Sequence, residues 1–192
     1  MTLSDSAATS VASSEVACIV AAQAGDRQAF AQLHQNYQRM VHGILLSYVS
    51  HTDAEDLQQE VFLHAMQKLP TLREPVAFGA WLATISRNFS VNHYRRRRQT
   101  EEVTEANAGR THPQEAAGRQ AESAVLDAIR RLPAAYSETL MLRLVEGMTG
   151  PEIAAQTGLA PASVRVNLCR GMKLLRDELG DGYFIKREDD YV

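Results

Sequence analysis

Arginine is the side chain best suited to read guanine, because its planar fork donates two parallel hydrogen bonds to the base edge in the major groove. In this 192-residue chain, Arg165, Arg170, Lys173 and Arg176 fall in a stretch from Ala160 to Arg176 that contains no acid. Helix-start signals bracket that stretch. Thr149 and Glu152 have capping-box spacing, Pro151 fits a first turn, Ile153 and Ala154 begin a short helix, and Gly158 can end it left-handed. A turn of about three residues follows, and Pro161, favoured at a first helical position, opens a second helix, which is the spacing of a helix-turn-helix. On a helical wheel Val164, Leu168, Met172 and Leu175 share one side, while Arg165, Val166, Cys169, Arg170, Lys173 and Arg176 share the other. Such a helix can enter the major groove. Arg165 and Arg170 are the candidate base readers, and Ser163 and Thr149 are candidate phosphate contacts, which position the protein without reading sequence.

A second cationic stretch runs from Thr84 to Arg98, with Arg87, Arg95, Arg96, Arg97 and Arg98 and no acid. Between the two, Gln99 to Asp127 carries Glu101, Glu102, Glu105, Glu115, Glu122 and Asp127 against Arg110 and Arg119. The formal net charge of −3 therefore hides two basic surfaces separated by an acidic tether. Four consecutive arginines exceed what a helix C-terminus requires, so Arg95 to Arg98 are candidate DNA-backbone contacts whose contribution falls with salt.

The apolar residues that must position these surfaces recur at helical spacing, and the fold class is all-α. Asp26 is placed to cap a helix bearing Phe30, Leu33, Tyr37, Val41, Ile44 and Tyr48. Thr52 and Glu55 have capping-box spacing ahead of Leu57, Val61, Ala65 and Leu69, with Pro70 as the stop. A loop, Pro70 to Pro75, precedes a helix from about Val76 with Phe78, Trp81, Leu82, Ile85 and Phe89 inward, which ends in the arginines. Periodicity then fails until Arg119. A second unit begins with Ala124, Leu126, Ile129 and Leu132, after which Pro133 opens a helix that Gly147 closes. Two small helical domains are expected at 1–98 and 120–179, joined by a flexible linker at 99–119 and followed by a tail at 180–192.

No apolar stretch approaches the roughly 20 residues of a membrane span. Cys18 and Cys169 are far apart and the histidines are scattered, which argues against a disulfide framework or a metal site. No nucleophile–base pair or phosphate loop is visible, so neither an enzyme nor a cofactor is expected.

Taken together the motifs resemble the bacterial sigma-70 family in its smallest subgroup, the extracytoplasmic function (ECF) sigma factors. The resemblance rests on Gly25-Asp26 with Ala29-Phe30, on Asp53-Ala54-Glu55-Asp56 with Gln59-Glu60 and Phe62, and on Phe78, Trp81-Leu82, Ile85 and Asn88 before the arginines. In the second unit it rests on Leu132-Pro133, Leu142-Arg143, Glu146-Gly147, Glu152-Ile153-Ala154 and Val164-Arg165. It implies that the first unit is sigma region 2 and the second sigma region 4, and that the protein binds core RNA polymerase, recognises promoters and helps open them without chemistry of its own. Asp53, Asp56, Gln59, Glu60 and Leu63 would then meet the β′ clamp helices, with region 4 at the β flap. Asp53 has a competing role at its helix start. His64, Lys68, Leu72, Ser86 and Asn88 would hold the non-template strand of the −10 element, an aromatic being common where this chain has Leu72. Thr149, Ser163, Arg165, Val166, Cys169, Arg170 and Lys173 would meet the −35 element, from a helix whose usual Ser or Thr cap is Ala160. The resemblance also implies an anti-sigma partner; the cytoplasmic location expected from the lack of a membrane span and of signal-peptide order at Met1 to Glu15 would then lie near the membrane where that partner is membrane-bound. Two readings from other classes remain open at this point: a stand-alone helix-turn-helix regulator, and a sigma-like decoy that captures an inhibitor.

Overall fold

The computed structural model describes residues 14–104 and 117–180, and every element among them is helical. Helix α1, residues 14–23, has no counterpart in the sequence reading. It buries Ile19 and Ala22, and Gln23 Nε2 donates to the carbonyls of Leu69 (3.2 Å) and Leu72 (2.7 Å). Asp26 then caps α2, Arg27–Leu46, accepting from the amides of Gln28 and Ala29 as its type and position require. The stripe of α2 is buried at Leu33, Tyr37, Val41 and Ile44.

Helix α3, His51–Lys68, starts earlier than expected. Its cap is Ser50, which accepts from the Asp53 amide and donates to Asp53 Oδ2 at 2.6 Å, so Thr52 lies inside the first turn and does not cap. Two overlapping Ser/Thr-x-x-acid patterns compete here, and the earlier one gains about half a turn of backbone hydrogen bonds. Ser50→Ala is expected to cost about 1 kcal/mol, while Thr52→Ala stays within about 0.5 kcal/mol. Paired thermal melts check this; equal losses would return the cap to Thr52.

Two single-turn 3₁₀ helices, Leu69–Thr71 and Pro75–Ala77, frame the loop that follows, each with proline at its start. Helix α4 then runs Phe78–Thr104. It does not end at Arg98, because Gln99 to Thr104 contains neither glycine nor proline to stop it. Helix α5, Ala117–Arg131, likewise begins inside the expected linker. Of that linker, residues 105–116 lie outside the described residues, as does the tail beyond Gly180.

Helix α6, Ala134–Leu140, passes into a π-helical turn, Met141–Val145, before Gly147 closes the segment at φ 64°. Thr149 caps α7, Gly150–Thr157; Gly158 ends it at φ 72°, and α8 spans Pro161–Leu179. The two halves are not held apart by the tether. They pack directly, α2 against the π turn and α7, and α4 against α7, so that one buried cluster runs from Ile19 to Leu175.

Candidate nucleic-acid interface

The helix-turn-helix closes as its sequence specifies. Thr149 Oγ1 donates to Glu152 Oε2 (2.7 Å) and accepts from the Glu152 amide, while the Thr149 amide donates to the same carboxylate at 2.7 Å. That last bond, followed by the hydroxyl, holds the Glu152 carboxyl below its usual range. The Thr149 hydroxyl is thus committed to the cap. Ala160 makes no side-chain cap, and Pro161 at the first position partly compensates.

Helix α8 sorts its residues as the wheel requires. Val164, Gly171 and Leu175 are buried, with Leu168 and Met172 packed on the core. Gly171 lets α8 approach α6 closely, since a Cβ there would meet Leu140 Cδ1 at 3.1 Å. On the opposite side Ser163, Arg165, Val166, Cys169, Arg170 and Lys173 are all exposed. The candidate −35 readers therefore form one continuous surface, with an exposed free thiol at its centre.

The candidate −10 residues divide. Asn88 and Lys68 are exposed, and His64 is half-buried with its ring 5.4 Å from Phe89. Leu72 turns inward against the core, and its carbonyl, like that of Leu69, accepts from Gln23 Nε2. Ser86 does not reach the surface: it is fully buried and donates to the Leu82 carbonyl at 2.9 Å. Its small volume lets α4 pack there, and the back-bond satisfies its hydroxyl. Ser86 is therefore removed from the candidate −10 set. Trp81 is half-buried and packs on Phe78 at 5.8 Å. The exposed tip of the loop is formed by Arg73, Glu74 and Val76, the last 78% exposed. Arg73 escaped the sequence reading although a lone cation in a loop between two prolines is a usable signal.

On α3, Asp56, Gln59, Glu60 and Leu63 are exposed on one face, and Asp53 is half-buried at the cap. A groove of about 310 Å³ between α3 and α4 is lined by Asp53, Asp56 and Glu60 on one side and by Asn92, His93 and Arg96 on the other. The side chains of Arg95 and Arg96 are exposed. Arg96 thus belongs to the acidic groove as much as to the cationic cluster, and Arg97 and Arg98 have side chains outside the described residues. Among the described residues no group of three His, Cys, Asp or Glu could hold a metal, and no helix is long and apolar enough to cross a membrane.

Comparison with known proteins bears directly on this arrangement. A model of Sigma-70 region 2 matches residues 33–100, and one of Sigma-70, region 4 matches residues 122–175. The chain is 30% identical over 162 residues to RNA polymerase sigma factor CarQ of Myxococcus xanthus, covering 82% of this chain and 92% of CarQ. The chain belongs to the sigma-70 family. It is 32% identical over 168 residues to ECF RNA polymerase sigma factor BldN of Streptomyces coelicolor, across 83% of this chain and 64% of BldN. It spans 42% of the length of the Xanthomonas campestris relative named probable RNA polymerase sigma factor RfaY. The relatives named as ECF factors, with the two regions in this order, make it a member of the ECF group.

The fold of this ECF family member is shared with CnrH, solved in complex with the cytosolic domain of CnrY, at TM-score 0.59 and 24% identity over 86% of this chain and 96% of that one. It is shared also with the sigma factor RpoE of Bartonella quintana, solved with the anti-sigma factor NepR, at TM-score 0.52 and 24% identity over 78% of this chain and 96% of that one. Helices α2 to α4 carry region 2, and α5 to α8 carry region 4.

Proposed function

We propose that the protein is an ECF sigma factor that joins core RNA polymerase, directs it to promoters through −35 and −10 contacts, and promotes initiation. The observation that carries this reading is the pairing, in one chain and in order, of an exposed polar α3 face with an exposed cationic α8 face. Asp56, Gln59, Glu60 and Leu63 engage the β′ clamp helices, and region 4 sits at the β flap. Arg165, Val166, Cys169 and Arg170 read the −35 element. Asn88, Lys68, His64 and the Leu72 loop receive the −10 strand, and an unstacked base held there must offset a few kcal/mol of lost stacking. Arg95 and its neighbours contact duplex phosphates. An anti-sigma protein is the third partner, consistent with a fold that Bartonella RpoE presents to its inhibitor. The protein works in the cytoplasm, held near the membrane where that inhibitor is membrane-bound.

Purified protein mixed with bacterial core polymerase and genomic DNA of its source should yield transcripts whose start sites share two upstream elements. Folded protein that neither binds core polymerase nor gives such transcripts would sink the reading. Tight operator binding without polymerase would replace it with a stand-alone regulator.

A further inference from the structure

Helix α1 lies ahead of the helices that carry region 2, yet it is built into them. Ile19 and Ala22 are buried, Tyr37 Oη donates to Glu15 Oε1 at 2.7 Å, and Cys18 Sγ donates to the Ala29 carbonyl at 3.4 Å. Burial, with the Glu15 bond, holds the Tyr37 phenol well above its ordinary range, so it remains a donor. Gly25, at φ 96°, turns the chain from α1 into α2. These contacts fix the last residue of α1, Gln23, which is half-buried against the loop between α3 and α4.

Gln23 holds that loop at two points. Its side-chain amide donates to the carbonyls of Leu69 (3.2 Å) and Leu72 (2.7 Å), using both hydrogens of Nε2 across one 3₁₀ turn. Within the loop, the Leu72 amide donates to the Leu69 carbonyl and the Ala77 amide to the Glu74 carbonyl, both at 3.0 Å. Those short turns shape the segment locally, and the Leu69 and Leu72 side chains seat it on the core. Apolar packing is non-directional and does not decide which way a peptide plane faces, whereas a hydrogen bond does. The two planes differ in what they can offer. Leu69 precedes Pro70, which has no N–H. Leu72 precedes Arg73, and across a trans peptide the N–H points opposite to the carbonyl. With the Leu72 carbonyl turned to α1, the Arg73 amide is turned away from it, at an exposed residue.

We propose that Gln23 is a positioning residue for the −10 strand: it fixes the Leu72–Arg73 peptide, so that the loop presents a backbone donor of set direction and the Arg73 side chain to an unstacked base. This role rests on the sigma-factor reading above. Extruding a base costs stacking, and ordering a loop at the same moment costs backbone entropy besides. A loop that is already held avoids the second cost and meets the base in one orientation, so it discriminates between bases more sharply. Without the brace, the packed leucines keep the loop in place while its outer peptide turns. The loss falls on selectivity rather than on the fold.

The test uses the full chain assembled with bacterial core polymerase, with a single-stranded DNA library randomised at successive positions as the probe. Gln23→Met and, independently, Gln23→Glu keep the length of the side chain and remove both donors, and the carboxylate also sets like partial charge against two carbonyl oxygens. The parent holoenzyme should enrich a preferred sequence. If the oriented peptide falls to about a fifth of its population, both variants should lose about fivefold of the preference for the best base at the position the loop receives, while core affinity stays within about twofold of the parent. Glutamate should do no better than methionine. A Gln23 that served the fold alone would show a lower melting temperature and a lower core affinity with base preferences as in the parent. That pattern would overturn the proposal, as would undiminished selectivity in either variant. A parent that binds no core polymerase, or selects no sequence with it, would sink the sigma-factor reading and the role of Gln23 with it.

Discussion

Reversing the charge of Asp56 and Glu60 together, to arginine, is expected to weaken binding to core polymerase by at least about a hundredfold, equivalent to about 2.7 kcal/mol. Both carboxylates are exposed on the same side of α3. They flank one mouth of the groove whose opposite wall holds Asn92, His93 and Arg96. An interface built on those acids must present cations, and like charge in contact there costs several kcal/mol. Stability should scarcely change, because neither residue supports the core, which is held by Ala54, Leu57, Val61 and Ala65 one turn around the helix. Titration of labelled protein with core polymerase checks the affinity, and a thermal melt checks the fold. The effect should also shrink with added salt, since exposed charges are screened within about 10 Å at 0.1 M. Undiminished affinity in the double variant would move the polymerase contact off this face.

What was legible in the sequence was local. The Asp26 cap, the Thr149–Glu152 box, Gly158, Pro161 and the two-sided pattern of α8 each depend on residues within one or two turns, and all stand as expected. The expected Thr52 cap gives way to Ser50, because a second Ser/Thr-x-x-acid pattern, Ser50 to Asp53, begins two residues earlier. Ser86 entered the −10 set through the family resemblance, yet Leu82, Ser86 and Ser90 recur every four residues and all are fully buried. The spacing held the answer that the resemblance obscured. Composition alone marks a linker from Gln99, but glutamates do not stop a helix as glycine or proline would, so α4 continues to Thr104. Helix α1 was missed because a serine- and alanine-rich approach hid the short spacing of Ile19, Ala22 and Gln23. The packing of the halves was out of reach altogether. Gly43 and Gly79 gain their meaning from Leu142 and Gln156, and Glu138 from Arg87 and Tyr48, across separations that no periodicity encodes.

Arg165→Ala is expected to lower occupancy by roughly five- to a hundredfold at some −35 sequences and hardly at all at others, since one good bidentate contact to a base contributes about 1–3 kcal/mol of discrimination. Position supports this role. Arg165 is in the second turn of α8, exposed beside Val166, with Cys169 and Arg170 one turn on. The N-terminal part of a recognition helix is the part that reaches base edges. Arg95→Ala supplies the contrast: an exposed member of the four-arginine cluster should weaken binding evenly across sequences and reduce the slope of affinity against salt by about one ion. Arg95 is the better probe because Arg96 also lines the acidic groove, where its loss would disturb the polymerase side as well. The weak start of α8 sharpens the expectation, because Ala160 gives no side-chain cap and the helix depends on Val164 and Leu175 packing for its position. Ala160→Ser should therefore add up to about 1 kcal/mol of stability without altering which sequences are preferred. Measuring holoenzyme occupancy over a randomised −35 library separates the three variants. An equal loss at every sequence for Arg165→Ala would make it a phosphate contact and pass the reading of bases to Arg170.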